Sequence, residues 1–338
     1  MPGAAWRRGP GRPGPAEGVG GAAPTRVRAV KSVLMAATIA VLVAGGVGSA
    51  AQPAWRPARP VPVPRTEIAA APLGREIAVV GGFVASGRNT GRADAYWPAR
   101  NRWRRLPDLP VTVDHAAAAG AAGGLYVAGG YGPGSVPLAS VFSFRQGRWT
   151  PLPPMPAPRA AAGGAMLGGK LYIVGGVEAP GRLARDAFAF DFRTERWATI
   201  RGPRPREHLG AAALDGLVYA VAGRTGGLDT NLDVVEAFDP RRGRWRAIPR
   251  VPGKRGGTAA AAVAGSLISA GGEEPTGTIP TVYAYSPVTR RWRELPRLRT
   301  SRHGIGLVGW RGRAYALAGG PKPGLTVSGA NEVLRLGP

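Results

Sequence analysis

Five arginines occupy one recurring place in this chain. Ten residues beyond Trp55, Trp149, Trp245 and Trp292 stand Arg65, Arg159, Arg255 and Arg302; the same step from Trp197 reaches Glu207, beside Arg206, and from Trp103 it reaches Val113. A guanidinium is a planar fork of donors that suits carboxylate, sulfate or phosphate, so one reading is an anion-binding ring. The other is structural: the arginines bond loop carbonyls or pair with carboxylates inside the fold. The chain's three histidines, His115, His208 and His303, fall in the same region of alternate units, two of them next to Asp114 and Glu207. Three histidines round an axis suggest zinc, but the nitrogens would have to lie within about 2.1 Å of one point. Spread round a wide ring they are expected to stand too far apart, so no metal is expected. Acid–base work would fall to Glu67, Glu207 and His208, although nothing in their pattern singles out a reaction. Arg65, Arg159, Arg206, Arg255, Arg302, His115 and His303 are the candidate ligand-binding residues.

What positions these residues is a repeat. A short apolar run ending in a small pair recurs at Gly81-Gly82, Gly129-Gly130, Gly175-Gly176, Ala222-Gly223, Gly271-Gly272 and Gly319-Gly320. Each follows one of the tryptophans Trp55, Trp103, Trp149, Trp197, Trp245 and Trp292 by 25 to 27 residues. Periods in the twenties to fifties mean an array of supersecondary units. Each unit holds four strand-length segments separated by Gly, Pro and Asn turn signals. In the third unit they are Ala160–Ala165, Leu171–Val174, Ala187–Asp191 and Arg196–Ile200. The first segment is almost wholly Ala, Gly and Thr, as strands converging on an axis require. The second is apolar on both faces, as a strand buried between sheets should be. The fourth carries the Trp, large enough to fill a wedge between units, with an N–H to satisfy.

With four segments, a glycine pair after the second, Asp or Pro after the third and Trp on the fourth, the chain resembles kelch repeats. The signature stands as Tyr172, Gly175, Gly176, Asp191 and Trp197, and as Tyr219, Gly223, Asp239 and Trp245, over about residues 54–337. Ala222 departs from it, and units one and five lack the Tyr. The resemblance implies an all-β fold, a six-bladed β-propeller of four-stranded antiparallel blades. The sixth unit ends without a Trp strand, while Ala54–Pro57 supplies a spare one. An open ring leaves exposed edges, so the N-terminal strand is expected to pair with Asn331–Leu336 and close the ring. Kelch propellers include a copper oxidase family with a Tyr–Cys cofactor; this chain has no Cys, so that cofactor cannot form, and no cofactor is expected.

Residues 1–31 read as a disordered basic tail ending in Arg26, Arg28 and Lys31, residues 32–51 as an apolar run and small-residue cleavage site, and residues 52–338 as the propeller. That order of segments is a secretory signal peptide, or an N-terminal anchor if uncleaved, the only expected tie to a membrane. The net charge of +25 rests on 41 Arg against 4 Lys with high Ala, Gly and Pro, a compositional bias spread over all repeats. Neither a basic stripe nor a recognition helix or stacking motif marks a nucleic-acid binder. The expectation is an exported, monomeric, non-catalytic module. It would hold a protein, or an acidic glycan or other cell-surface polymer, at the Arg-bearing mouth. The alternative is a carbohydrate enzyme resembling the extracytoplasmic kelch mutarotases of sialic acid, with an acidic sugar held by Arg159 and Arg302.

Overall fold

A computed structural model describes residues 53–121 and 123–337; the basic tail and apolar run at residues 1–52 lie outside it. Six four-stranded antiparallel sheets are arranged as blades around an axis. Blade one comprises Ala69–Leu73, Glu76–Val80, Ala93–Trp97 and Arg102–Arg105, and blade four Gly210–Leu214, Leu217–Val221, Val235–Asp239 and Arg244–Ile248. The innermost strands contact one another round the ring, the last (Gly306–Trp310) touching the first (Ala69–Leu73). They approach so closely that a Cβ on Gly309 would collide with the carbonyl of Ala262, which is why these strands are built of Ala and Gly. Second strands such as Glu76–Val80 are buried along their whole length.

Blade six takes three strands from the C-terminus, Gly306–Trp310, Arg313–Leu317 and Asn331–Arg335, and its fourth, Arg56–Pro57, from the N-terminus. Arg56 pairs with Val333 and Pro57 with Glu332, as expected. Six apolar clusters fill the six interfaces between neighbours; that between blades five and six includes Trp55 with Ile268, Leu295 and Leu334. Every repeat Trp spans an interface by donating its indole N–H to a carbonyl of the preceding blade. Trp103 bonds Arg59, Trp149 Pro107, Trp197 Pro153, Trp245 Arg201 and Trp292 Pro249, all at 2.7–2.9 Å.

The small pair is a second inter-blade staple. The N–H of its second residue donates to the carbonyl at the arginine position of the next blade. The bonds run from Gly82 to Val113, Gly130 to Arg159, Gly176 to Arg206, Gly223 to Arg255, Gly272 to Arg302 and Gly319 back to Arg65. The last corrects the sequence alignment. In blade six the pair is Ala318-Gly319, with φ of 53° and 99°, matching Ala222-Gly223 at 54° and 102°. Gly320 lies one place beyond it. The first strand of blade one is also shifted, from Glu67–Ala71 to Ala69–Leu73, because Glu67 has a left-handed backbone that no strand admits.

Candidate functional site

Two residues beyond each arginine position stand Glu67, His115, Ala161, His208, Gly257 and Gly304, all with φ between 51° and 66°. The residue before each forms an antiparallel bridge to the residue after the small pair: Thr66 to Phe83, Asp114 to Tyr131, Ala160 to Val177, Glu207 to Arg224, Gly256 to Glu273 and His303 to Gly320. From that bridge the chain must turn inward at once to start the innermost strand, and the left-handed residue makes the turn. Backbone bonds of 2.9–3.1 Å join these residues in sequence, from His115 N–H to the Glu67 carbonyl and so on to Gly304 and Gly257. Together they form the rim of one channel mouth, around a cavity of about 120 Å³.

Ionisable side chains gather at this rim. Glu67 Oε2 lies 3.1 Å from His115 Nε2, and its Oε1 3.0 Å from His303 Nδ1. The other nitrogen of His115, Nδ1, is 2.6 Å from Asp114 Oδ1. His208 packs its ring edge-on to His115, with centroids 4.7 Å apart. Glu207 Oε2 is 3.1 Å from His208 Nδ1, yet that buried nitrogen has no hydrogen bond of acceptable geometry. Arg224 bridges Glu207 and Glu273 at 3.1 and 2.8 Å. Phe83 and Tyr131 stand edge-on to His115.

Charge pairing decides the protonation states. Burial alone would lower the pKa of His115, but Glu67 and then Asp114 outweigh it and raise the value. His303 is raised likewise, its burial overcome by Glu67 and Glu273. His208 is lowered, by burial and by the neighbouring His115 charge, against the pull of Glu207. Glu67 is well below the usual carboxylate range, its burial outweighed by His115, His303 and His208. The two stacked rings are thus biased in opposite directions, His115 toward its charged form and His208 toward its neutral form.

The arginines are not part of this surface, which corrects the expected anion ring. Arg65, Arg159, Arg206, Arg255 and Arg302 are each 0–1% exposed and spend their donors inside their own blades. Arg65 bonds the carbonyls of Gly81 and Arg92 and pairs with Asp94 at 2.7 Å. Arg206 bonds the carbonyls of Ala222 and Ala220 and pairs with Glu236; Arg302 bonds those of Ala318 and Ala330 and pairs with Glu332. Arg159 and Arg255 lie over the rings of Phe188 and Tyr283 at 4.2 and 5.1 Å, though Arg159 also reaches Glu178. Asp94, Phe142, Phe188, Glu236, Tyr283 and Glu332 are the same register position of the third strand. Each blade thus faces its arginine with a carboxylate or an aromatic ring, and blade two sets Val113 with Phe142. Burial pushes Arg255 down to about 10, since only Tyr283 opposes the loss of solvent. Arg159 and Arg302 cannot clamp an acidic sugar from these positions, so the mutarotase reading loses its anchor.

The three histidines do not share one point, as expected, but two of them come close beside a carboxylate: Glu67, His115 and His208 each offer a ligand atom within 4.8 Å of the others, and Glu67, Glu273 and His303 form a separate such group. Sequence reasoning passed over Arg224 and Glu273 at the mouth. Their signal was their place immediately after the small pair, where the six repeats read Phe, Tyr, Val, Arg, Glu and Gly.

The comparisons with known proteins agree with this architecture. Residues 114–320 match the family model described as the KLHDC2/KLHL20/DRC7 Kelch-repeats domain. The chain belongs to the kelch-repeat β-propeller family. It is also similar to the Kelch-like protein terF of Aspergillus terreus, at 28% identity over 247 residues, 65% of this chain and 53% of the relative. It thus spans about half the length of the curated relative it matches.

Proposed function

We propose that this chain is an exported, non-catalytic binding module that receives a partner protein on the mouth face of its propeller. Kelch propellers generally serve protein–protein interaction. The observation that carries the choice of face is the rim itself. Blades five and six place Gly at the left-handed rim position, where it is least costly, whereas Glu67, His115 and His208 are held there at φ of 52–53°. A left-handed backbone costs a non-glycine residue roughly 1–2 kcal/mol, and such outliers cluster at functional sites. The same face carries the loops in which the blades differ, including the hairpins Val177–Ala179 with Arg182–Leu183 and Glu273–Glu274 with Gly277–Thr278. With the guanidinium groups buried in the blades, the mouth lacks, among the described residues, the free cations that an acidic glycan would need, which favours a protein partner; the mouth carboxylates are themselves paired with His115, His303 and Arg224.

Selection of a random peptide display library on the full chain tests this reading. Enriched peptides should lose binding to the Glu67→Ala variant while keeping it with Arg104→Ala on the outer edge. Binders indifferent to Glu67 would remove the mouth from consideration. Export rests on the residue order from Arg26 to Ala51, and the N-terminus of the protein recovered from the medium should follow Ala50 or Ala51. An intact N-terminus confined to the cell interior would overturn it.

A further inference from the structure

We propose that Glu67, His115 and His208 form a binding site for a first-row divalent cation, zinc foremost, inside the channel mouth. The chain has no Cys and only three histidines in 338 residues, and all three stand at this rim. Imidazole nitrogen and carboxylate oxygen are the donor set of open zinc sites. Two ligands bound tetrahedrally at 2.0–2.1 Å are ~3.4 Å apart, and His115 Nε2 already lies 3.1 Å from Glu67 Oε2.

The surroundings are arranged as supporting residues of metal ligands are. A ligating histidine is oriented by a carboxylate on its other nitrogen. Here the acidic residue just before each histidine faces Nδ1: Asp114 at 2.6 Å from His115 and Glu207 at 3.1 Å from His208. This Asp/Glu-His arrangement occurs in blades two and four, on either side of Ala161. Glu67 is steadied through its Oε1 by His303 at 3.0 Å, which leaves Oε2 for the cation. The second observation is His208 itself. Its side chain is only 9% exposed, lines the cavity, and has a buried Nδ1 without a hydrogen bond. A cation on its Nε2 would fix the proton on Nδ1, and a small rotation of the ring would then let that N–H donate to the Glu207 carboxylate 3.1 Å away. Binding releases the Nε2 proton of His115, and the cation replaces the contact between that proton and Glu67. The inference does not depend on whether a protein docks at the mouth.

The test is titration of tag-free, chelator-treated full chain with Co²⁺ or Zn²⁺ alone, across pH 6–8. One equivalent should bind, and binding should strengthen with pH as His115 gives up its proton in the field of Glu67, Asp114 and Glu207, with Arg224, Glu273 and His303 behind them. Glu207→Gln should weaken binding about 10–100-fold, His208→Ala should weaken it further, and Arg104→Ala on the outer edge, far from the mouth, should leave it unchanged. Absence of binding by folded wild type at millimolar Zn²⁺, or equal affinity after His115→Ala and His208→Ala, would overturn the proposal. Should the variants fail to fold, the Cu²⁺ complex of wild type decides through its electron paramagnetic resonance: coupling to two imidazole nitrogens supports the site, and one or none refutes it.

Discussion

The indole N–H of Trp55 donates to the carbonyl of Pro296 at 2.8 Å, joining residues 241 positions apart. The other five repeat tryptophans make the same bond to the preceding blade, so the N-terminal strand is a working part of blade six. Trp55 is 2% exposed among Ile268, Leu295 and Leu334.

Trp55→Ala should therefore destabilise the propeller by about 3–5 kcal/mol, the usual result of emptying a buried Trp position. Deleting residues 52–58 should cost at least as much. Thermal denaturation followed by circular dichroism should show midpoints lower by roughly 6 °C or more; unchanged midpoints would mean that the ring does not need this strand.

Arg65 and Asp94 test the buried arginine series. Removing one member of a buried ion pair costs about 3–5 kcal/mol, because the other is left uncompensated. Arg65→Val alone should be strongly destabilising even though Arg92 also reaches Asp94. The pair Arg65→Val with Asp94→Phe reproduces the Val113 and Phe142 of blade two and should recover much of the loss. A double-mutant cycle in urea measures the coupling; simple additivity would mean that the two positions do not act as a unit.

Ala222 and Ala318 occupy left-handed positions that other blades give to glycine. Ala318→Gly and Ala222→Gly should each stabilise by up to about 1 kcal/mol, the relief of φ strain exceeding the added freedom of the unfolded chain. Gly319→Ala should do the reverse and cost more, because its Cβ would meet the His303 carbonyl at 2.6 Å. Chemical denaturation of the three variants gives the signs directly.

The mouth should make stability depend on pH. His115 and His303 have raised values in the fold, so their contribution is complete below the ordinary histidine value of about 6.5 and is lost as pH rises through the folded values. Glu67 is lowered, so its contribution is present above the ordinary carboxylate value of about 4.3 and is lost as pH falls through the folded one. His208, lowered, acts against the other histidines: its contribution is present above about 6.5 and fades on acidification. The destabilisation caused by Glu67→Gln should thus be largest near pH 5–6 and shrink above pH 8. A constant difference in melting temperature across that range would contradict the raised value of His115.

Much of the fold was legible because each blade repeats the same local physics. The Trp, the small pair and the Ala-rich strand each answer a requirement of radial packing, and six copies of a pattern average out local exceptions. The exceptions show where this fails. At Gly319-Gly320 the letters mimic the pair one residue late, and only the inter-blade bond from Gly319 to Arg65 reveals the register. At Glu67 a strand-like context concealed a left-handed turn.

From sequence alone, periodicity determined six units of four strand-length segments and a spare Trp strand for the last of them, their resemblance to kelch repeats implied the closed six-bladed propeller, and the lack of Cys excluded thiol chemistry. Tertiary structure alone decided which ionisable residues face the channel. Side-chain direction at the loops depends on bridges between residues 17 apart, such as Thr66 to Phe83 and Glu207 to Arg224, not on neighbours along the chain. Those bridges turn the arginines into the blades, where desolvation must be met by carbonyls, carboxylates and aromatic rings. They turn Glu67, His115 and His208 toward one another, because the left-handed residue two places on swings the chain inward from the bridge to start the innermost strand.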